Sequence, residues 1–223
     1  MTILHKLYYE YRLTSGVAIW LPTLLLPAFA IFNWWLFSED NPYTMPMFER
    51  ITMIFELGLP LTAALAVAHL MGIEREQNFD ELRHTMPEAT WEILAYRIAV
   101  AIIMTLISIG ITAASMAILW EPFDLWSILE NVLPAVSFMV AMSIAVNTVV
   151  GNYWVSSAAV VGYWLIDFNT GGAYTRGLYL FQSYRPRPDL NATINISLLL
   201  VMALVCVTLA LLWRYVERKG LLN

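Results

Sequence analysis

An all-α, polytopic membrane fold is the class predicted for this chain of 223 residues. Two observations carry that prediction. Six stretches are long, apolar and nearly free of charge, and hydrophobic residues make up 60% of the chain against 13% charged, far from the usual soluble balance. A third observation, one mixed acidic and basic segment between the second and third stretches, marks where the chain meets water. A helix needs about 20 apolar residues to cross roughly 30 Å of hydrocarbon. Each span must be helical, because lipid offers no partner to an unpaired backbone group. The expectation is a single transmembrane domain over 1–223, with six spans, an N-terminal interfacial helix and a short coupling helix between spans two and three.

The elements follow in order. Residues 1–15 contain His5-Lys6-Leu7-Tyr8-Tyr9-Glu10-Tyr11-Arg12-Leu13, whose mix of aromatics and charge suits a short helix lying in the membrane interface. An aromatic belt at a helix end is the alternative. The spans are expected at Val17–Phe37, Ile51–Ile73, Leu94–Leu119, Leu129–Val150, Tyr153–Phe168 and Ile194–Val216. Pro22 and Pro27 in the first and Pro60 in the second are tolerable as kinks. Gly151 and Asn152 signal a tight turn between spans four and five. Asn147 is grouped with that turn, although a buried amide can also join helices across a bundle. Residues 169–193 form the longest connection, read either as an interfacial loop rich in Tyr or as a re-entrant element.

Orientation follows from the basic residues. Lys6, Arg12, Arg75, Arg83, Arg97, Arg214, Arg218 and Lys219 fall on one side, and Arg50, Arg176, Arg185 and Arg187 on the other. The first side is therefore expected to be cytoplasmic, with both termini inside a cell membrane of bacterial type. The start of the chain lacks the short apolar core and small-residue cleavage site of a signal peptide, so the first span is expected to be retained. No basic run suggests nucleic acid, and Cys206 stands alone, which excludes an intrachain disulfide.

The segment 74–90 carries the most chemistry. Phe79, Leu82 and Met86 recur at helical spacing while Glu76, Asp80, Glu81 and Arg83 fall on other faces. Asp80 and Arg83 are spaced to pair. Pro87 breaks the helix, and Thr90 with Glu92 reads as the capped start of the third span. The product is a short amphipathic helix able to pass force to a soluble partner, or else a solvated loop that obeys the positive-inside rule.

Glu74-Arg75-Glu76-Gln77, followed by Glu81-Leu82, Met86-Pro87 and Tyr96-Arg97, resembles the cytoplasmic loop of ABC-2 type transporter permeases. In that family a run close to E-R-E-x-G-T-x-E-x-L precedes a Pro and a basic residue opening the third span. Asn78 and Phe79 stand where the family often has Gly and Thr. The likeness covers the whole chain in layout and about 25 residues in motif. It implies the membrane subunit of an ATP-driven exporter for a lipid, peptide or drug-like molecule. Such a subunit pairs with a second permease copy, identical or related, and with two cytoplasmic ATPase subunits that hold ATP and Mg. It also implies that Glu74, Arg75, Glu76, Phe79, Asp80, Glu81, Leu82 and Arg83 couple to the ATPase. The chain has no G-x-x-x-x-G-K-[ST] phosphate loop of its own, and no cofactor, catalytic residue or metal is expected on it.

Two acids in the apolar stretches are candidates for a substrate path. Glu56 lies a few residues from the outer end of span two, and a buried ionisable group there is costly enough to suggest function; the blander expectation is that it reaches the interface. Asp167 ends span five. Both would be the coupling acids if the chain were instead a secondary transporter driven by an ion gradient, a class that often shows internal repeats; no such match joins 1–110 to 111–223. His69 reads as a packing or interface residue without metal-ligand spacing. Trp34, Trp35, Met139 and Met142 read as packing or lipid contact more than as an apolar path. Asn191-Ala192-Thr193 and Asn195-Ile196-Ser197 match glycosylation acceptors, without meaning in a bacterial chain. An intramembrane enzyme finds no support, since no H-E-x-x-H or nucleophile elbow is present.

Overall fold

The computed structural model describes Tyr8 and residues 17–36, 46–76, 90–119 and 123–218. Their secondary structure is entirely helical: α1 (Val17–Leu36), α2 (Met47–Glu76), α3 (Thr90–Leu119), α4 (Leu125–Val150), α5 (Tyr153–Thr170), a single 3-10 turn (Arg176–Leu178) and α6 (Ala192–Arg218). Four of these, α2, α3, α4 and α6, are long and apolar enough to cross a membrane. Among described side chains α1 offers the shorter apolar stretch Thr23–Trp35. The polar Ser156, Ser157, Asp167 and Asn169 of α5 dilute its hydropathy, and it is not one of the four. The predicted interfacial helix, apart from Tyr8, and residues 77–89 of the predicted coupling segment lie outside the described residues.

Local chemistry sets the helix ends. Asp124 caps α4, its carboxylate accepting the N–H groups of Trp126 at 3.1 Å and Ser127 at 3.4 Å, which draws the helix start back from the expected Leu129 to Leu125. Gly151, at φ 70°, closes α4 in the left-handed conformation, and Asn152 then caps α5 by accepting from Trp154 and Val155. The Gly-Asn pair is thus a complete two-residue joint.

α2 is the centre of the bundle. In its apolar span 83% of residues are buried, against 17% for α6, and α1, α3, α4 and α5 all pack on it. α4 is the second hub, carrying α5 and α6. Three apolar clusters fill the interior. One joins Leu26, Ile54, Phe55, Ile109 and Ile128 across α1 to α4. A second joins Val67, Leu70, Val100, Ile144 and Ala210. The third places Leu57, Phe138 and Met139 against Tyr179, Leu180 and Phe181 from the α5–α6 loop.

Polar clamps hold the helices in register. Asn147 donates its amide to the Ala68 carbonyl at 3.1 Å and Ser143 its hydroxyl to Ala64 at 3.0 Å. Ser156 of α5 reaches the Ser143 carbonyl at 2.9 Å, and Ser108 of α3 reaches Thr23 of α1 at 2.7 Å. Asn147 is therefore a cross-helix clamp rather than a turn residue, because its side chain projects from the last full turn of α4 towards α2. Such bonds contribute about 0.6 kcal/mol each between membrane helices, so their main effect is register. Gly72 permits the closest approach: a Cβ there would sit 2.2 Å from the Cβ of Tyr153.

Candidate functional site

The loop between α5 and α6 folds back into the end of the bundle and fills it. Tyr179, Leu180 and Phe181 are buried, and a ring cluster of Trp164, Phe168, Phe181 and Tyr179 locks them by edge-to-face and stacked contacts with centroids 5.4 to 5.9 Å apart. A buried loop brings backbone N–H and C=O groups into a place where water cannot satisfy them. The neighbouring helices supply the missing partners.

Glu56 supplies two of them. It is 1% exposed, and its carboxylate accepts the N–H of Ser183 at 2.8 Å and that of Tyr184 with its second oxygen. The expectation that it reaches the interface fails because α2 is enclosed at this level and the loop covers the side chain. Asp167 repeats the arrangement from α5: wholly buried, it accepts from the Thr175 hydroxyl and from the Leu180 N–H, the latter at 2.8 Å. The two acids thus grip the loop at both ends of its buried run.

Donors complete the set. Tyr163 gives its hydroxyl to the Leu178 carbonyl at 2.8 Å, and Asn195 spans the carbonyls of Gly177 and Tyr179 at 2.9 and 3.0 Å. Trp164 donates its indole N–H to the Leu57 carbonyl at 2.9 Å, one turn before Pro60, whose ring cannot donate to the Glu56 carbonyl. Arg187 donates to the Gly172 carbonyl at 2.6 Å and forms a two-pronged pair with Asp189. That hydrogen-bonded guanidinium holds the Asp189 carboxyl below the usual range. Burial, with Asp167 adding to it, pushes the Tyr179 phenol up to about 12, so it stays neutral.

The rigidity of this joint has a measurable counterpart. Asp167→Asn keeps one acceptor and loses the other, while Thr175→Val removes one donor. Each is expected to lower stability by about 1–2 kcal/mol, with the double variant below their sum because both act on one bond. Thermal unfolding of the three variants in detergent measures it, and strict additivity would separate the two groups.

The remaining predicted residues lie elsewhere. His69 packs edge-on against Tyr153 with centroids 5.8 Å apart, and no group of metal-binding side chains occurs among the described residues. Met139 is buried in the core and Met142 packs against the same cluster, whereas Trp34 and Trp35 are exposed. Glu74, Arg75 and Glu76 occupy the last turn of α2, at the end of the bundle away from the loop. Phe79, Asp80, Glu81, Leu82 and Arg83 lie outside the described residues. Sequence reasoning found both acids but missed their partners, which are main-chain groups without a side-chain signature. Comparison with known proteins adds no identification: no family model, curated protein or solved structure matches the chain.

Proposed function

We propose that the chain is the membrane-spanning permease subunit of an ATP-driven exporter of ABC-2 type, moving a lipid, peptide or drug-like molecule with energy from separate cytoplasmic ATPase subunits. The observation that carries this reading is the segment from Glu74 to Arg97. Its first residues extend α2, the helix on which four others pack, and its motif resembles that of the family. A push on the end of a central helix changes the packing of every helix around it, which is how an attached ATPase shifts a bundle between two arrangements. Six spans, cytoplasmic termini in a cell membrane and a second permease copy belong to the same reading. The loop end is then the outer face, and the segment 169–193 closes it.

Affinity purification of the tagged chain in mild detergent tests the partner, and a stoichiometric companion carrying a phosphate loop is expected. Charge reversal at Glu76 and Glu81 together is expected to lower transport-linked ATPase activity roughly tenfold or more while membrane insertion is unchanged. Full coupling in that double variant would remove the assignment. A secondary transporter driven by an ion gradient is the second reading, favoured by the burial of Glu56 and Asp167. It replaces the first if the chain purifies alone and Glu56→Gln abolishes transport.

A further inference from the structure

We propose that Arg176 and Arg185, on the loop between α5 and α6, form a binding site for a phosphate monoester, carried either by a lipid or by a soluble compound. Between Thr170 and Ala192 the chain has three arginines against one acid, Asp189. The orientation expected from the basic residues puts them on the side that the positive-inside rule leaves poor in arginine. Arg187 has a structural reason to be there, since it is pinned to the Gly172 carbonyl and paired with Asp189. Arg176 and Arg185 have none. Both are exposed, and neither guanidinium has a hydrogen-bonding or ionic partner among the described residues.

The two share one place. A Cβ on Gly171 would lie 3.9 Å from the Cζ and Nη1 of Arg185, so that guanidinium rests on the turn that ends α5. It is not needed there as a cap, because the N–H groups of Gly171 and Gly172 already meet the carbonyls of Phe168 and Asp167 at 3.4 and 3.2 Å. The Arg176 N–H donates to the Gly172 carbonyl at 2.8 Å, so its side chain leaves from the same turn. The frame beneath is fixed: Glu56 holds Ser183 and Tyr184, the Arg185 N–H meets the Phe181 carbonyl at 2.9 Å, and Pro186 and Pro188 restrict the chain on either side of Arg187. A ligand therefore has little backbone to order, which lowers the cost of binding.

Arg176 adds an independent sign. Its φ is 51°, and it is the one non-glycine residue with positive φ among the described residues. A glycine adopts that conformation without strain, whereas strained positions cluster at ligand sites. The ligand class follows from charge and shape. Two free guanidiniums present two positive charges and two planar forks suited to phosphate oxygens. A phosphate monoester offers about −1.5 to −2 charges and three terminal oxygens, so it matches both forks where a carboxylate fills one. The inference is independent of any ATPase partner.

Equilibrium dialysis of the full-length chain in nonionic detergent, at fixed ionic strength, is the test, with glycerol 3-phosphate as probe. A dissociation constant of about 1 mM or below is expected, with equimolar acetate competing at least about tenfold less well. Arg176→Gln with Arg185→Gln is expected to weaken binding at least about tenfold at an unchanged melting temperature, because no partnered group is removed. Arg12→Gln with Lys219→Gln changes the net charge equally and is expected to leave binding intact. Arg176→Gly is expected to raise the melting temperature yet weaken binding about threefold or more. Native mass spectrometry with phosphatidic acid and phosphatidylcholine of the same chains identifies the source. A preference of about tenfold or more for phosphatidic acid, lost in the double arginine variant, assigns a lipid headgroup; equal affinity for the two lipids, with glycerol 3-phosphate bound, assigns a soluble phosphate ester. Absence of glycerol 3-phosphate binding, acetate competing equally, or full affinity in the double arginine variant or in Arg176→Gly overturns the proposal.

Discussion

Glu56→Leu is expected to release the α5–α6 loop and to lower stability by roughly 2–6 kcal/mol, about 1–3 kcal/mol for each of the two N–H donors left without an acceptor. The side chain is not exposed to lipid or water, so no solvent molecule replaces the carboxylate as acceptor for the two N–H groups. Glu56→Gln is the informative companion. It keeps one oxygen for Ser183 or Tyr184 and turns an N–H towards the other, so about half the loss is expected. Loop release is read by proteolysis. Arg185 and Arg187 each precede a proline, which protects them from trypsin, so chymotryptic cleavage after Phe181 and Tyr184 is the reporter. Phe181 is buried in the native protein and is expected to become cleavable in Glu56→Leu. Cleavage at the native rate, with an unchanged melting temperature, would mean that the aromatic cluster alone holds the loop.

Gly72→Val has the second largest expected effect, a loss of about 3 kcal/mol or more, the upper end of what overpacking costs. The Cβ that it adds would meet the Cβ of Tyr153 at 2.2 Å and its Cα at 3.2 Å. Those atoms belong to the backbone of α5 or are fixed to it, so no rotamer relieves the clash and the two helices must separate. Gly58 is the control. A Cβ there would meet the Cδ1 of Leu26 at 2.4 Å, the far end of a flexible side chain that can turn away. In Gly58→Ala the gain of about 1 kcal/mol from replacing a helical glycine offsets that adjustment, and near-neutral stability is expected. Thermal unfolding of the two variants side by side decides between them; similar melting temperatures would show that α2 and α5 are not held at the distance described.

What the sequence conveyed and what it withheld follows the range of the interactions involved. The joint at Gly151 and Asn152 was legible because both signals are local: a glycine tolerates the left-handed turn, and an asparagine caps the helix two residues on. Helix existence was legible from unbroken apolar runs, whereas α4 starts one turn before the expected Leu129 because Asp124 caps it there. Glu56 and Asp167 were visible as acids out of place, yet the reason for their placement was not. Their partners are peptide N–H groups of Ser183, Tyr184 and Leu180, which every residue but proline possesses.

The grip of Glu56 on the loop also has a schedule. Its acceptor atoms and the Ser183 N–H are separated by 127 residues, and chains are synthesised at roughly 5–20 residues per second. α2 is therefore complete for on the order of ten seconds before the groups that satisfy its carboxylate exist. During biogenesis the acid must therefore be met by water or stay in its neutral form until that loop is made. Assembly of this bundle is thus ordered from its centre, yet completed by the segment made late.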